Sequence, residues 1–223
     1  MSAPVAPPSP RLELSFRNLL LLAVPVLAVG LRWGYGASTR TVTLVVAPIL
    51  AFSFALGPLL RLRARRFERE LLRRIQLRQT AGLRSLYARQ VLLRLFATPA
   101  YLAARRAMIA QELGDHAMAR SDFRLALSGT EEGAQLPLIV GLANACYALG
   151  DDVEAEPLYR DALRRGARYP AVFHHLAHGM GRRNLKLDEA IELAEEGLKA
   201  TGAPAPLDEL LAELRAQRKK KRK

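Results

Sequence analysis

Apolar positions along this 223-residue chain fall into three regimes. The first is near-continuous. Residues 41–60 (TVTLVVAPILAFSFALGPLL) carry no charge, and a helix of about 20 residues rises about 30 Å, the depth of a bilayer's hydrocarbon core. Pro48 and Pro58 are compatible with such a span, because proline is commoner in membrane helices than in soluble ones. The earlier run Asn18–Leu31 lies uncharged between Arg17 and Arg32. Extended back to Leu14 and Phe16, with Arg32 snorkelling beside Trp33 and Tyr35 at the interface, it predicts a further span over 14–35. A cleaved signal peptide, with Leu19–Leu27 as its apolar stretch and Ala28-Val29-Gly30 as its cleavage site, is the competing reading. The second span comes after a short connection, which favours a two-helix transmembrane hairpin over 14–60. Residues 1–13 are proline-rich without periodicity and predict a disordered lead.

In the second regime the spacing becomes helical. Phe67, Leu71, Leu72 and Ile75 recur three and four residues apart, with arginine on the other faces, predicting a helix over 61–79 that continues out of the membrane. Thr80-Ala81-Gly82 reads as a break. Leu86, Tyr87, Leu93 and Phe96 predict a second helix over 83–97, ended by Pro99, that caps the near end of the helical domain beyond it. Together 61–98 form a basic connector.

The third regime repeats. Leu113-Gly114-Asp115 is followed by Ala119, Phe123 and Ala126-Leu127. Leu149-Gly150-Asp151 is followed at the same offsets by Ala155, Tyr159 and Ala162-Leu163, 36 positions along. A weaker copy has Ala190, Ala194 and Gly197-Leu198. Gly114 and Gly150 fall where a left-handed residue ends a helix, Asp115 and Asp151 where a side chain caps the next. Ala119, Ala155 and Ala190 suit close helix crossings, and Phe123 and Tyr159 fill the space between hairpins. A period near 34 residues built this way predicts stacked helix–turn–helix pairs, of which about three are needed to bury a common core. Leu210, Leu211 and Leu214 mark a closing helix over Leu207–Gln217.

These positions, with Leu142-Ala143, Tyr147 and Leu176-Ala177, resemble the tetratricopeptide repeat family across about residues 100–200. The resemblance implies an all-α fold: a solenoid of about three helix pairs with a C-terminal capping helix, over 99–217. It also implies a concave groove, lined by the first helix of each pair, that binds a peptide or another protein. Mapped by register, the groove residues are Tyr101, Ala104, Met108 and Gln111, then Val140, Asn144 and Tyr147, then His175, Arg182 and Arg183. Asn144 and the arginine pair are suited to a peptide backbone or carboxylate. The lysine expected in the first repeat of carboxylate-clamp members is missing, which argues against a chaperone-tail clamp.

Charge orders these parts. The net charge of +13 divides into +3 for residues 1–60, +9 for 61–100, −6 for 101–214 and +7 for 215–223. Arg61, Arg63, Arg65, Arg66, Arg69, Arg73 and Arg74 follow the second span, so the positive-inside rule puts both termini and the repeats on the cytoplasmic side of a bacterial inner membrane. The same arginines are suited to anionic lipid. Sparse aromatics disfavour nucleic acid. Residues 218–223 read as a disordered polybasic tail.

Candidate chemistry adds little. His174 and His178 share a helix face, but a His-Glu-x-x-His site would need Glu where His175 stands, and no third ligand is evident. Cys146, the single cysteine, falls among apolar residues, where a thiol is inert. No catalytic set, cofactor motif or metal set emerges. The expectation is therefore a non-enzymatic, membrane-anchored scaffold for protein–protein interaction; the alternative is a lipid or nucleic-acid surface binder acting through the basic connector and tail. Neither partner identity nor oligomeric state is encoded in these patterns.

Overall fold

In a computed structural model of the chain, the repeated Leu-Gly-Asp phrase is the turn between the two helices of a hairpin. The structure describes residues 26, 28–34, 38–183, 186–202 and 205–221, without the side chains of 31, 49, 50, 52–54 and 56. It is all-α. Contacts divide the chain into two units, Ser9–Leu102 and Ala103–Lys223.

In the first unit a π-helical turn, Gly30–Gly34, precedes α1, Thr39–Gln76, a single helix of 38 residues. The uncharged run and the arginine-rich stretch thus share one helix, as the pattern predicts, with Ser38 accepting from the Thr41 amide at its start. Among the described residues no helix is long and apolar enough to cross a membrane; six side chains of the 41–60 run lie outside them. Most of the expected 14–35 span and all of the 1–13 lead also lie outside the described residues. From the end of the run onward, α1 buries Leu60, Ala64, Phe67 and Leu71, spaced three and four apart on one face.

The chain leaves α1 through a Schellman turn. The Gln79 amide bonds to Arg74 O at 2.8 Å and the Arg78 amide to Ile75 O at 3.0 Å, with Arg78 left-handed at φ 54°. Gly82, at φ 79°, opens α2, Leu83–Ala88, and α3 follows over Val91–Phe96. The single helix expected over 83–97 is therefore two. At about 100° per residue, positions 83 and 93 would lie about 80° apart on one straight helix; the break at Arg89-Gln90 lets Leu83 and Leu93 both be buried. Both short helices pack on α1.

Among the described residues, three hairpins and a closing helix follow: α4 (Pro99–Glu112) with α5 (His116–Ser128), α6 (Leu136–Ala148) with α7 (Asp152–Arg164), α8 (Pro170–Arg182) with α9 (Leu187–Thr201), then α10 (Ala205–Lys221). Pro99, expected to end the preceding stretch, also opens α4, and Thr98 Oγ1 accepts from the Tyr101 amide at 3.2 Å. Gly114 and Gly150 have φ of 78° and 77°. Asp115 caps α5 by accepting from the Met118 amide at 3.1 Å, and Asp151 caps α7 through Glu154 at 3.2 Å. The third hairpin lacks the Gly-Asp pair; Lys186 enters α9 left-handed at φ 53°.

Close packing explains the small residues. Ala119, Ala126, Ala162, Ala190 and Ala194 are wholly buried, with Phe123 and Tyr159 beside them in one continuous core. Three glycines are filled by a neighbour's side chain. A Cβ on Gly141 would lie 2.4 Å from Phe123 Cζ, on Gly181 2.6 Å from Leu214 Cδ2, and on Gly197 2.6 Å from Phe173 Cβ. Leu207, Leu210, Leu211 and Leu214 of α10 cover the last hairpin.

Ion pairs recur about thirty residues apart in sequence, between hairpins in Arg120–Asp151 at 3.4 Å, Arg124–Glu154 at 2.5 Å and Arg160–Glu189 at 2.6 Å, and between the closing helix and the last hairpin in Arg218–Asp188 at 2.8 Å. Each contributes roughly 0–1 kcal/mol at such exposure. Their arrangement favours one stacking register over its neighbours. The last pair corrects an expectation: residues 218–221 are not a free tail but extend α10, where cations suit the negative end of the helix dipole.

Candidate interaction face

The first helices of the second and third pairs, α6 and α8, carry a polar–aromatic cluster on their partly exposed sides. Its inner layer joins three helices. The Tyr159 hydroxyl of α7 donates to Asn144 Oδ1 of α6 at 2.7 Å; His175 Nδ1 of α8 lies 3.1 Å from that hydroxyl and 3.2 Å from Asn144 Oδ1. All three contacts are satisfied when His175 is neutral with its proton on Nδ1, donating to the two oxygens. Burial does hold it neutral: the His175 imidazole is pushed down to about 4, helped by His174, His178 and Arg182. Burial pushes the Tyr159 phenol upward, so it keeps its donor.

The outer layer is aromatic and basic. The Tyr147 ring stacks on His175 with centroids 4.2 Å apart and planes 15° apart. Its hydroxyl meets His178 Nδ1 at 2.8 Å, and the Arg182 guanidinium carbon sits 4.8 Å from its ring centre, a cation–π contact. Burial raises the Tyr147 phenol. The His174 and His178 rings lie parallel, 5.9 Å apart, and burial, with His178, pushes the His174 imidazole down. Among the described residues no group of three or more His, Cys, Asp or Glu could hold a metal ion.

The register brings Asn144, Tyr147, His175 and Arg182 together. Arg182 and Arg183 are committed differently from what register alone implies. Arg182 pairs with Asp152 of α7 at 2.5 Å, and Arg183 with Glu156 at 2.8 Å. Asp152 is 9% exposed and lies against Gly179, whose absent side chain leaves room for it. A carboxylate from a ligand would have to displace these acids. Val140 is buried, Met108 packs on the core, and Gln111 is partly exposed. Ala104 is buried. Tyr101, also buried, falls within the bounds of the other unit.

Register mapping missed Tyr159, Asp152 and Glu156 as members of the cluster. Spacing offered a signal for the acids: Asp152 precedes Arg182 by 30 residues and Glu156 precedes Arg183 by 27, close to the separation of about thirty in the other pairs.

A cleft among Asp152, Glu156, Tyr159, His175 and Met180 measures about 10 Å³, room for about one water and none for a substrate. Cys146 is fully buried; burial, with Glu154, pushes its thiol up to about 12, so it remains protonated at neutral pH. Arg61, Arg63, Arg65, Arg66, Arg69 and Arg73 are exposed on α1; Arg74, half-buried, bonds to Glu70 at 2.7 Å. No protein-family model matches the chain, and no curated protein matches it.

Proposed function

We propose that the chain is a membrane-anchored scaffold that presents a small tetratricopeptide-like array to a protein partner on the cytoplasmic side of a bacterial inner membrane, without catalysis of its own. The observation that carries this reading is the α6–α8 face. Tyr147, His174 and His178 stand side by side and partly exposed on consecutive first helices, while Tyr159, Asn144 and His175 beneath them bond to one another. Such a surface is preorganised, and aromatic side chains give contact area at little entropic cost. The partner addressed is a peptide or protein segment that lays apolar and hydrogen-bonding groups across these rings, rather than a free carboxylate terminus.

Two features support the anchor. Val26, Val29, Trp33 and Leu44 are 73%, 57%, 86% and 76% exposed, large apolar groups that water would not favour together. The uncharged run continues within α1 into Arg61–Arg74, and an arginine-rich flank stays cytoplasmic. On this reading 14–35 and 41–60 form the two-helix hairpin.

A second reading, binding of anionic lipid or nucleic acid through the basic connector, is favoured by the absence of any acid between Glu70 and Glu112. Affinity capture of the full-length protein from detergent-solubilised membranes separates the two. In the first reading Tyr147→Ala with His178→Ala removes the captured partner, while glutamine at Arg61, Arg63, Arg65 and Arg66 does not. In the second the arginine variant alone removes it, and capture falls steeply with salt.

A further inference from the structure

We propose that the segment returning along α1, the pair α2–α3, is a lipid-contacting element that seats at the membrane surface where α1 leaves the bilayer. This rests on the membrane reading of residues 41–60, which the experiment below tests separately.

The register of the return carries the argument. Gly82 lies within 3.1 Å of the Arg74 side chain when given a Cβ, and the Phe67 and Tyr87 ring centres are 6.4 Å apart. As the chain advances from 82 to 87, its partner on α1 recedes from 74 to 67, so the segment runs antiparallel to α1. Continued at the same pace of seven α1 residues for five, this register brings residue 91 level with about residue 61 and residue 95 level with about residue 56. Leu60 is the last residue of the uncharged run. The end of α3 therefore stands about one helical turn inside the apolar boundary, about 6 Å, the depth of an interfacial element.

What α3 shows there is unusual for a surface helix. Leu93 turns inward and is 2% exposed, yet Val91 and Leu95, four apart on one face, are 57% and 69% exposed, with exposed Arg94 between them and exposed Arg89 just before. Apolar side chains flanked by arginine on one helix face are the composition of an interfacial element, whose apolar groups enter the headgroup boundary while the cations meet anionic lipid. Charge complementarity is one-sided, because no acid occurs between Glu70 and Glu112. Each arginine at an anionic surface favours the seated state by about five-fold. The seated pair would fix the depth at which α1 leaves the bilayer.

The test uses the full-length protein carrying Trp33→Phe and Leu95→Trp, so that position 95 holds the single tryptophan. It is reconstituted in phosphatidylcholine vesicles, with or without phosphatidylglycerol, that contain lipid brominated near the headgroup. The proposal expects indole emission from position 95 to drop about two-fold with brominated lipid. The drop should be greater in anionic vesicles and diminished by Arg89→Gln with Arg94→Gln. Carbonate extraction is run alongside. Protein that resists extraction while the indole stays unquenched overturns the proposal and leaves the anchor standing. Protein that is extracted while the indole is quenched overturns the anchor, and with it the seating of α2–α3 where α1 leaves the bilayer. An emission shift produced by polyuridylic acid, with no quenching by brominated lipid, also overturns the proposal.

Discussion

Replacing Gly141 with alanine tests whether the hairpins are held by close backbone approach. The new methyl would lie 2.4 Å from Phe123 Cζ and 2.6 Å from Cε1. Ordinary carbon contacts are about 3.5–4.0 Å, so the ring must retreat by about 1 Å. Phe123 is 3% exposed and has no free side to move toward. Two effects oppose each other. Alanine in a helix interior is favoured over glycine by about 1 kcal/mol. Overpacking a filled core costs about 1–3 kcal/mol, and the rigid ring puts this case at the upper end. The expected net loss is about 1–2 kcal/mol. Gly133→Ala, with nothing within 4 Å, is the control and should stay within about 0.5 kcal/mol. Amide hydrogen exchange across 116–148 of the full-length protein in mild detergent reads the opening free energy locally. Shortening the ring with Phe123→Leu should recover part of the loss in the double variant, a coupling of about 1 kcal/mol. Protection that rises in Gly141→Ala, or a double variant no better than the sum of the singles, would refute the reasoning.

Three further outcomes rest on the same geometry. Tyr159→Phe removes the donor to Asn144 and should cost about 1–2 kcal/mol, seen as faster exchange in α6 and α7. His175, with its folded value near 4 against about 6.5 unfolded, binds its proton more readily when unfolded. Its contribution is full above about pH 6.5 and is lost as pH falls toward 4, by about 2–3 kcal/mol; exchange-derived stability in His175→Gln should show a shallower acid slope than wild type over that window. Arg78→Gly relieves a left-handed arginine at the end of α1 and should stabilise the α1–α2 turn by about 0.5–1 kcal/mol, read as slower exchange at Gln79 and Thr80.

Local rules make much of the second unit readable. The Gly-Asp phrase combines a left-handed helix end with an N-cap, each set by a few neighbouring residues, so Gly114-Asp115 and Gly150-Asp151 place their turns unaided. The third hairpin lacks that phrase, and there only the alanines carry the pattern. The break in 83–97 is hidden because it depends on α1: Leu83 and Leu93 turn inward toward a helix many residues away. The lysines near the C-terminus look like a solvated run, whereas Arg218 finds Asp188 thirty residues back. The interaction face is legible in outline through Asn144, Tyr147, His175 and Arg182. Register does not say that Arg182 and Arg183 face Asp152 and Glu156, since paired and free arginines look alike in a single helix; only the spacing of acids and bases between hairpins carries that information.

The central claim is that the α6–α8 face, and not the chain's other surfaces, meets a protein partner. Site-specific photo-crosslinking in living cells tests it most directly. A photoreactive amino acid replaces His174 or His178 on that face, or Met118 or Val153, which are 44% and 71% exposed elsewhere. The account predicts one discrete, larger adduct from positions 174 and 178 and none from 118 and 153. Adducts of equal yield from all four positions, or from 118 and 153 alone, would contradict it.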